Sequence, residues 1–145
     1  MPKLYVEKMS PEASLPEKSY DTDSGWDIRY TGEERIIVRA KQREIIPTKL
    51  RMTTDPGYFI KIESRSGLAF KNGISLLCGV GDNGYRDEYF ICVQNNDMKN
   101  PLAINSGDRI AQILVLPKIE AELVEVEKLP DVEIQRSGGL GHTGV

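Results

Sequence analysis

Ile74-Ser75-Leu76-Leu77-Cys78-Gly79-Val80-Gly81-Asp82-Asn83-Gly84-Tyr85-Arg86-Asp87-Glu88-Tyr89-Phe90-Ile91-Cys92-Val93 joins two apolar, strand-like runs through a polar centre rich in glycine. Gly79, Gly81 and Gly84 between such runs predict a tight hairpin whose backbone can approach a ligand closely. An acid, Asp82, and a phenol, Tyr85, lie within that hairpin. A carboxylate beside exposed amides and carbonyls can hold a planar polar group and a water together. Asp and Asn also suit a β-turn through turn chemistry alone, and the residues leave both readings open.

Outward from this stretch the chain reads as short strands. Leu4 and Val6 alternate with polar residues in a first strand, and 11–16 is a loop. Residues 35–40 and 44–52 are apolar, β-branched runs separated by the charged turn Lys41-Gln42-Arg43. Asp55-Pro56-Gly57 is a strong turn signal before an alternating return strand over 58–63. Residues 95–101 form a polar loop, 112–116 a continuous apolar strand, and 121–129 alternates again. Short strands with turns between them predict an all-β barrel or double-sheet jelly roll.

One stretch departs from the strand pattern. Ser64-Arg65-Ser66-Gly67-Leu68-Ala69-Phe70-Lys71-Asn72-Gly73 opens with capping residues and closes on Asn-Gly, as a one- or two-turn helix does. Its start would offer free N–H groups, a hydroxyl and a guanidinium to one spot, which suits a phosphate. A plain helix cap with a solvated Arg has the same residues.

A chain of 145 residues predicts one domain with a real core. With 39% hydrophobic and 28% charged residues, its composition is that of a soluble globular protein. A net charge of −3 provides no basic field for nucleic acid, so an anionic ligand depends on a few local arginines and amides. No apolar run is long enough for a membrane helix, and MPKLYVEKMS has no signal-peptide core, which points to the cytoplasm. Cys78 and Cys92 lack metal-ligand spacing and read as buried small hydrophobes. After Pro130 the segment from Arg136 to Val145 is glycine-rich; such an arm can close over a polyphosphate or simply fray. His142 is the only histidine and has no partner for a metal site. Asp27, between Trp26 and Ile28, reads as a turn cap or as a carboxylate paired with an Arg. Gln112 puts an amide into an apolar strand, where it needs a partner.

Five segments then stand together: DSGWDI, SRSGLAF, GVGDNGYRDE, GDRIAQ and RSGGLGHTG. Their order and spacing resemble the five motifs of the trimeric dUTPases (deoxyuridine triphosphate nucleotidohydrolases). The resemblance runs from Asp23 to the C-terminus. It implies a jelly-roll-like β-barrel of the dUTPase type with at most one short helix, built as a β-domain over 1–130 with a flexible arm over 131–145. It further implies a homotrimer with shared active sites and Mg²⁺-assisted hydrolysis of dUTP to dUMP and pyrophosphate, which supplies dUMP for thymidylate synthesis.

By the same resemblance Asp82 matches the acid that activates water for attack on the α-phosphorus, and Tyr85 matches the ring packed on the deoxyribose. Backbone at Gly79 and Val80 would pair with the uracil edge. Ser66, Gly67 and Gln112 would hold the phosphates, with Arg65 supporting Asp82 or the phosphates. Asp27 would engage the metal's water shell or a neighbouring Arg, and Mg²⁺ would sit on the phosphate oxygens and waters with little direct protein ligation. Arg136 would reach the γ-phosphate, with Leu140 and Gly141 in the closing arm. The chain departs from the family pattern at four places: Gly81 in place of isoleucine or valine, Asp87 in place of glycine, Leu140 in place of a stacking phenylalanine, and Arg136 one residue nearer the glycine pair. Trp26 is a candidate substitute for the lost ring or a core residue. Two other activities are weighed. The related dCTP deaminases use a glutamate on the strand after the hairpin, and residues 89–95 carry none. A non-catalytic protein using nucleotide as a switch is the other.

Overall fold

The computed structural model describes residues 1–134. Eleven strands and one short helix follow in the order β1 (Leu4–Lys8), β2 (Trp26–Arg29), β3 (Ile36–Val38), β4 (Arg43–Pro47), β5 (Leu50–Thr54), β6 (Tyr58–Glu63), α1 (Ser66–Asn72), β7 (Ile74–Leu77), β8 (Val80–Gly81), β9 (Phe90–Asn95), β10 (Leu102–Ile104) and β11 (Arg109–Pro117). The fold is all-β and jelly-roll-like with a single short helix, as the turn-punctuated strand pattern predicts. The strands form four sheets, β1-β5, β10-β3, β2-β11-β6-β8 and β4-β9-β7, with no closed barrel among the described residues. Every strand pairing is antiparallel. No helix among the described residues is long and apolar enough to cross a membrane.

Period-two patterning sets what faces inward. Leu50, Met52 and Thr54 of β5 point in, as do Ile60 and Ile62 of β6 and Ile91, Val93 and Asn95 of β9. Apart from the buried polar Thr54 and Asn95, they make one continuous hydrophobic core with Ile28, Val38, Ile46, Ile104, Ile110 and Ile113. Each fully buried Ile or Leu contributes about 1.5–3 kcal/mol relative to exposure. Buried Asn95 is satisfied, donating to Val38 O at 3.0 Å and Asn100 O at 2.9 Å.

Four expectations are corrected. The stretch over 78–89 is not a tight hairpin: β7 and β9 do pair, Leu77 opposite Cys92, but the connection between them leaves their sheet and sends β8 to the edge of β6. The run 44–52 is two strands, because Lys49 takes a left-handed backbone (φ 57°) and the Thr48 hydroxyl donates to Tyr89 O at 2.6 Å. Cys78 is exposed, at the left-handed residue (φ 59°) where the chain leaves β7. Residues 121–129 form no strand: Leu123, Val124, Val126 and Leu129 are exposed, with no neighbouring strand to meet their alternation.

Candidate functional site

All the sequence-selected residues within the described part of the chain gather around the sheet β2-β11-β6-β8. On β11, Gln112 lies between Asp27 of β2 and Glu63 of β6, so these three cross-strand neighbours share one face. The Gln112 amide finds its partner in the chain, donating to Ser64 O at 3.0 Å. This ties β11 to the residue just before α1. The helix closes at Gly73 in the left-handed conformation (φ 64°), as Asn-Gly predicts. Its start differs from expectation: Arg65 occupies the cap position and no side chain caps the helix. The first N–H groups of Ser66 and Gly67 are left for another acceptor.

The Arg65 guanidinium turns instead onto Asp27, Nε donating to Oδ1 at 2.8 Å. Arg109 Nη1 donates to the other carboxylate oxygen at 3.1 Å. Asp27 is 15% exposed and so serves as a half-buried hub for two cations, the Arg pairing foreseen for it. Within one chain the partner of Arg65 is thus Asp27 rather than Asp82. Alternation along β11 hides Arg109, because a register irregularity between Arg109 and Ala111 re-aims it toward β2. Asp27, Arg65, Ser66, Gly67, Arg109 and Gln112 line one cleft of about 490 Å³ together with Tyr20, Asp23 and Ser24. Asp23 and Ser24 belong to the DSGWDI segment without having been singled out, and Tyr20 lies before it and was not foreseen. The lining charges balance, Arg65 and Arg109 against Asp23 and Asp27.

Asp82 lines a different cleft of about 210 Å³ with Ile62, Val80, Gly81, Tyr85 and Tyr89. Ile62 N–H donates to Gly79 O at 2.8 Å, and Ile60 pairs with Gly81. In an antiparallel ladder the intervening residue, Val80, then directs its N–H and C=O away from β6. Val80 is also exposed, so this edge is open beside Asp82. Tyr85 closes a turn, its N–H donating to Asp82 O at 3.0 Å, and its hydroxyl donates to Glu88 O at 3.0 Å. With the hydroxyl engaged, the ring faces are what Tyr85 presents. Asn83 braces the loop, its Nδ2 donating to Thr54 O at 2.7 Å. Burial, with Tyr85 and Asp82 adding to it, pushes the Tyr89 phenol up to about 12. Trp26 packs against the core with Lys18 Nζ 4.4 Å from its ring centre. Within one chain the two clefts share no residue. Arg136, Leu140 and Gly141 lie outside the described residues.

The sequence matches the dUTPase family over residues 11–144. The chain belongs to the dUTPase family. A deoxyuridine 5'-triphosphate nucleotidohydrolase of Nautilia profundicola is 36% identical over 144 residues, covering 98% of this chain and 99% of that protein. One from Finegoldia magna is 39% identical over 132 residues, covering 90% of this chain and 91% of its own. Among solved structures, a mutant dUTPase of Staphylococcus bacteriophage 80alpha with dUpNHpp superimposes with a TM-score of 0.86 at 25% identity, covering 99% of each chain. A phage phi11 dUTPase mutant, described for coordination of a structural Mg(II) ion, gives 0.79 at 25% identity over 89% of this chain and 99% of that one. Of the five segments, the four within the described residues fall on the two clefts, DSGWDI, SRSGLAF and GDRIAQ at the first and GVGDNGYRDE at the second.

Proposed function

We propose that the protein hydrolyses dUTP to dUMP and pyrophosphate. The observation that carries the reading is the open edge of Val80 beside Asp82 and the Tyr85 ring in one cleft. A backbone N–H and C=O side by side match the donor and acceptor on a uracil edge. The Tyr85 ring would lie on the deoxyribose and leave no room for a 2′-hydroxyl. Asp82 is exposed to solvent at the rim of this cleft. It would take a proton from a water whose oxygen attacks the α-phosphorus, as the bond from that phosphorus to the bridging oxygen breaks and pyrophosphate departs. General-base assistance of this kind is worth about 10²–10⁴-fold.

The phosphates would lie in the first cleft, on the free N–H groups of Ser66 and Gly67 and the Ser66 hydroxyl, with Gln112 and the Asp27-anchored Arg65 behind them. Because the clefts are separate in one chain, the reading places the nucleoside on one subunit and the phosphates on a neighbour, which a homotrimer with shared sites provides. The arm over 131–145 would complete the site, Arg136 on the γ-phosphate with Leu140 and Gly141 over the base. Among the described residues no three of His, Cys, Asp and Glu converge, and both Asp27 oxygens face arginines. The reading would leave Mg²⁺ to the substrate's own phosphate oxygens and waters, where it would neutralise charge. Pyrophosphate release measured across dUTP, dCTP, dTTP and UTP tests the proposal. Release from dUTP alone is expected; ammonia from dCTP, or binding without turnover, would replace it with deamination or a switch.

A further inference from the structure

Tyr89 is a buried ring behind the second cleft, 4% exposed, and its hydroxyl has no hydrogen-bond partner among the described residues. Its backbone is fixed from elsewhere in the fold. Its N–H donates to Leu50 O at 2.9 Å, and its carbonyl accepts from the Thr48 hydroxyl at 2.6 Å. Two parts of the cleft lean on this post. A Cβ placed on Gly81 would sit 2.6 Å from both Cε1 and the hydroxyl oxygen of Tyr89, so the ring fills the volume that a side chain at position 81 would need. The Tyr85 ring stands edge-on to it, centroids 5.3 Å apart and planes at 84°, an arrangement aromatic pairs favour. Gly81 immediately precedes Asp82, so one ring sets both the backbone that carries the acid and the ring that walls the sugar.

We propose that Tyr89 is a specificity-determining positioning residue: its ring, seated where position 81 has no side chain, holds Tyr85 and the Gly81–Asp82 backbone as one unit. The inference rests on the dUTP reading above. Since the hydroxyl has no partner, the ring does the positioning and phenylalanine is an adequate replacement.

The test is kcat and KM for dUTP and UTP in the assembled full-length protein, with melting temperatures to confirm folding. Tyr89→Leu is expected to lower the dUTP-over-UTP preference in kcat/KM by about tenfold, mainly through faster UTP turnover and slower dUTP turnover. Tyr89→Phe is expected to keep the preference within about twofold of wild type. Gly81→Ala reads the same contact from the other side, should Tyr89→Leu fail to fold. It is expected to erode the preference in the wild-type background and to have no further effect beside Tyr89→Leu. Folded Tyr89→Leu with an unaltered preference overturns the inference. So does Tyr89→Phe as damaged as Tyr89→Leu, or additive effects at 81 and 89. Wild-type protein that releases no pyrophosphate from dUTP sinks the functional reading itself, whereas normal wild-type turnover with an unresponsive Tyr89→Leu sinks only this one.

Discussion

Replacing Asp27 with asparagine removes the charge that holds two arginines while keeping the shape. In the structure Asp27 accepts from Arg65 at 2.8 Å and from Arg109 at 3.1 Å. Fully buried pairs cost about 3–5 kcal/mol to break from one side, and exposed ones about 0.2–1. Asp27 is 15% exposed while its partners are 28% and 36% exposed, so water screens the cations more than the anion. Asparagine also retains one acceptor. The expected loss is therefore about 2 kcal/mol, which lowers the melting temperature of a chain this size by about 4–8 °C. Urea unfolding at fixed protein concentration measures it, and a cycle with Arg65→Gln should give a coupling of about 1 kcal/mol or more. A midpoint for Asp27→Asn within about 0.5 kcal/mol of wild type would refute the hub.

Asp82→Asn should bind nucleotide as the wild type does yet lose most turnover, about 10²-fold or more; calorimetric affinity beside a pyrophosphate assay checks both halves. Deleting residues from Arg136 onward should slow hydrolysis without changing the sedimentation coefficient of the assembly beyond the lost mass. In the folded chain the Tyr89 phenol keeps its proton up to about pH 12, against about 10 when unfolded, so its contribution is complete below pH 10 and disappears as the pH rises through 12. That is on the order of 2–3 kcal/mol; a urea midpoint that falls no faster for wild type than for Tyr89→Phe between pH 9 and 12 contradicts it.

What was legible in the sequence was local. Asn72-Gly73 ends a helix by its own backbone preference, and Asp55-Pro56-Gly57 turns wherever it is placed. Asp27 between two apolar neighbours read as a turn cap or as half of an ion pair, and its two arginines decide for the pair. What was illegible depends on distant partners. The break at Lys49 answers to Tyr89 O and to the Glu88 carboxylate, which accepts the Lys49 N–H at 2.8 Å. Arg109 could be assigned to Asp27 only once the irregular pairing of β11 with β2 was known. The 78–89 stretch looked like a hairpin because its flanks do pair; nothing within it signals that Val80 and Gly81 dock on a different sheet. Residues 121–129 alternate as strands do, but a pattern makes a strand only where an edge stands ready to receive it.

The strand that carries the open edge beside Asp82 is only two residues long and pairs with β6 at Ile60 and Lys61 alone. So few ladder bonds let a segment open without unfolding the rest, and its amide protons should exchange with solvent far sooner than those of β9 or β11. Nucleotide bridging Val80 should slow that exchange more than anywhere else in the chain. Equal protection of Val80 and Ile91 in the unliganded protein would show this grip to be rigid beforehand; otherwise part of the binding free energy goes into stilling it.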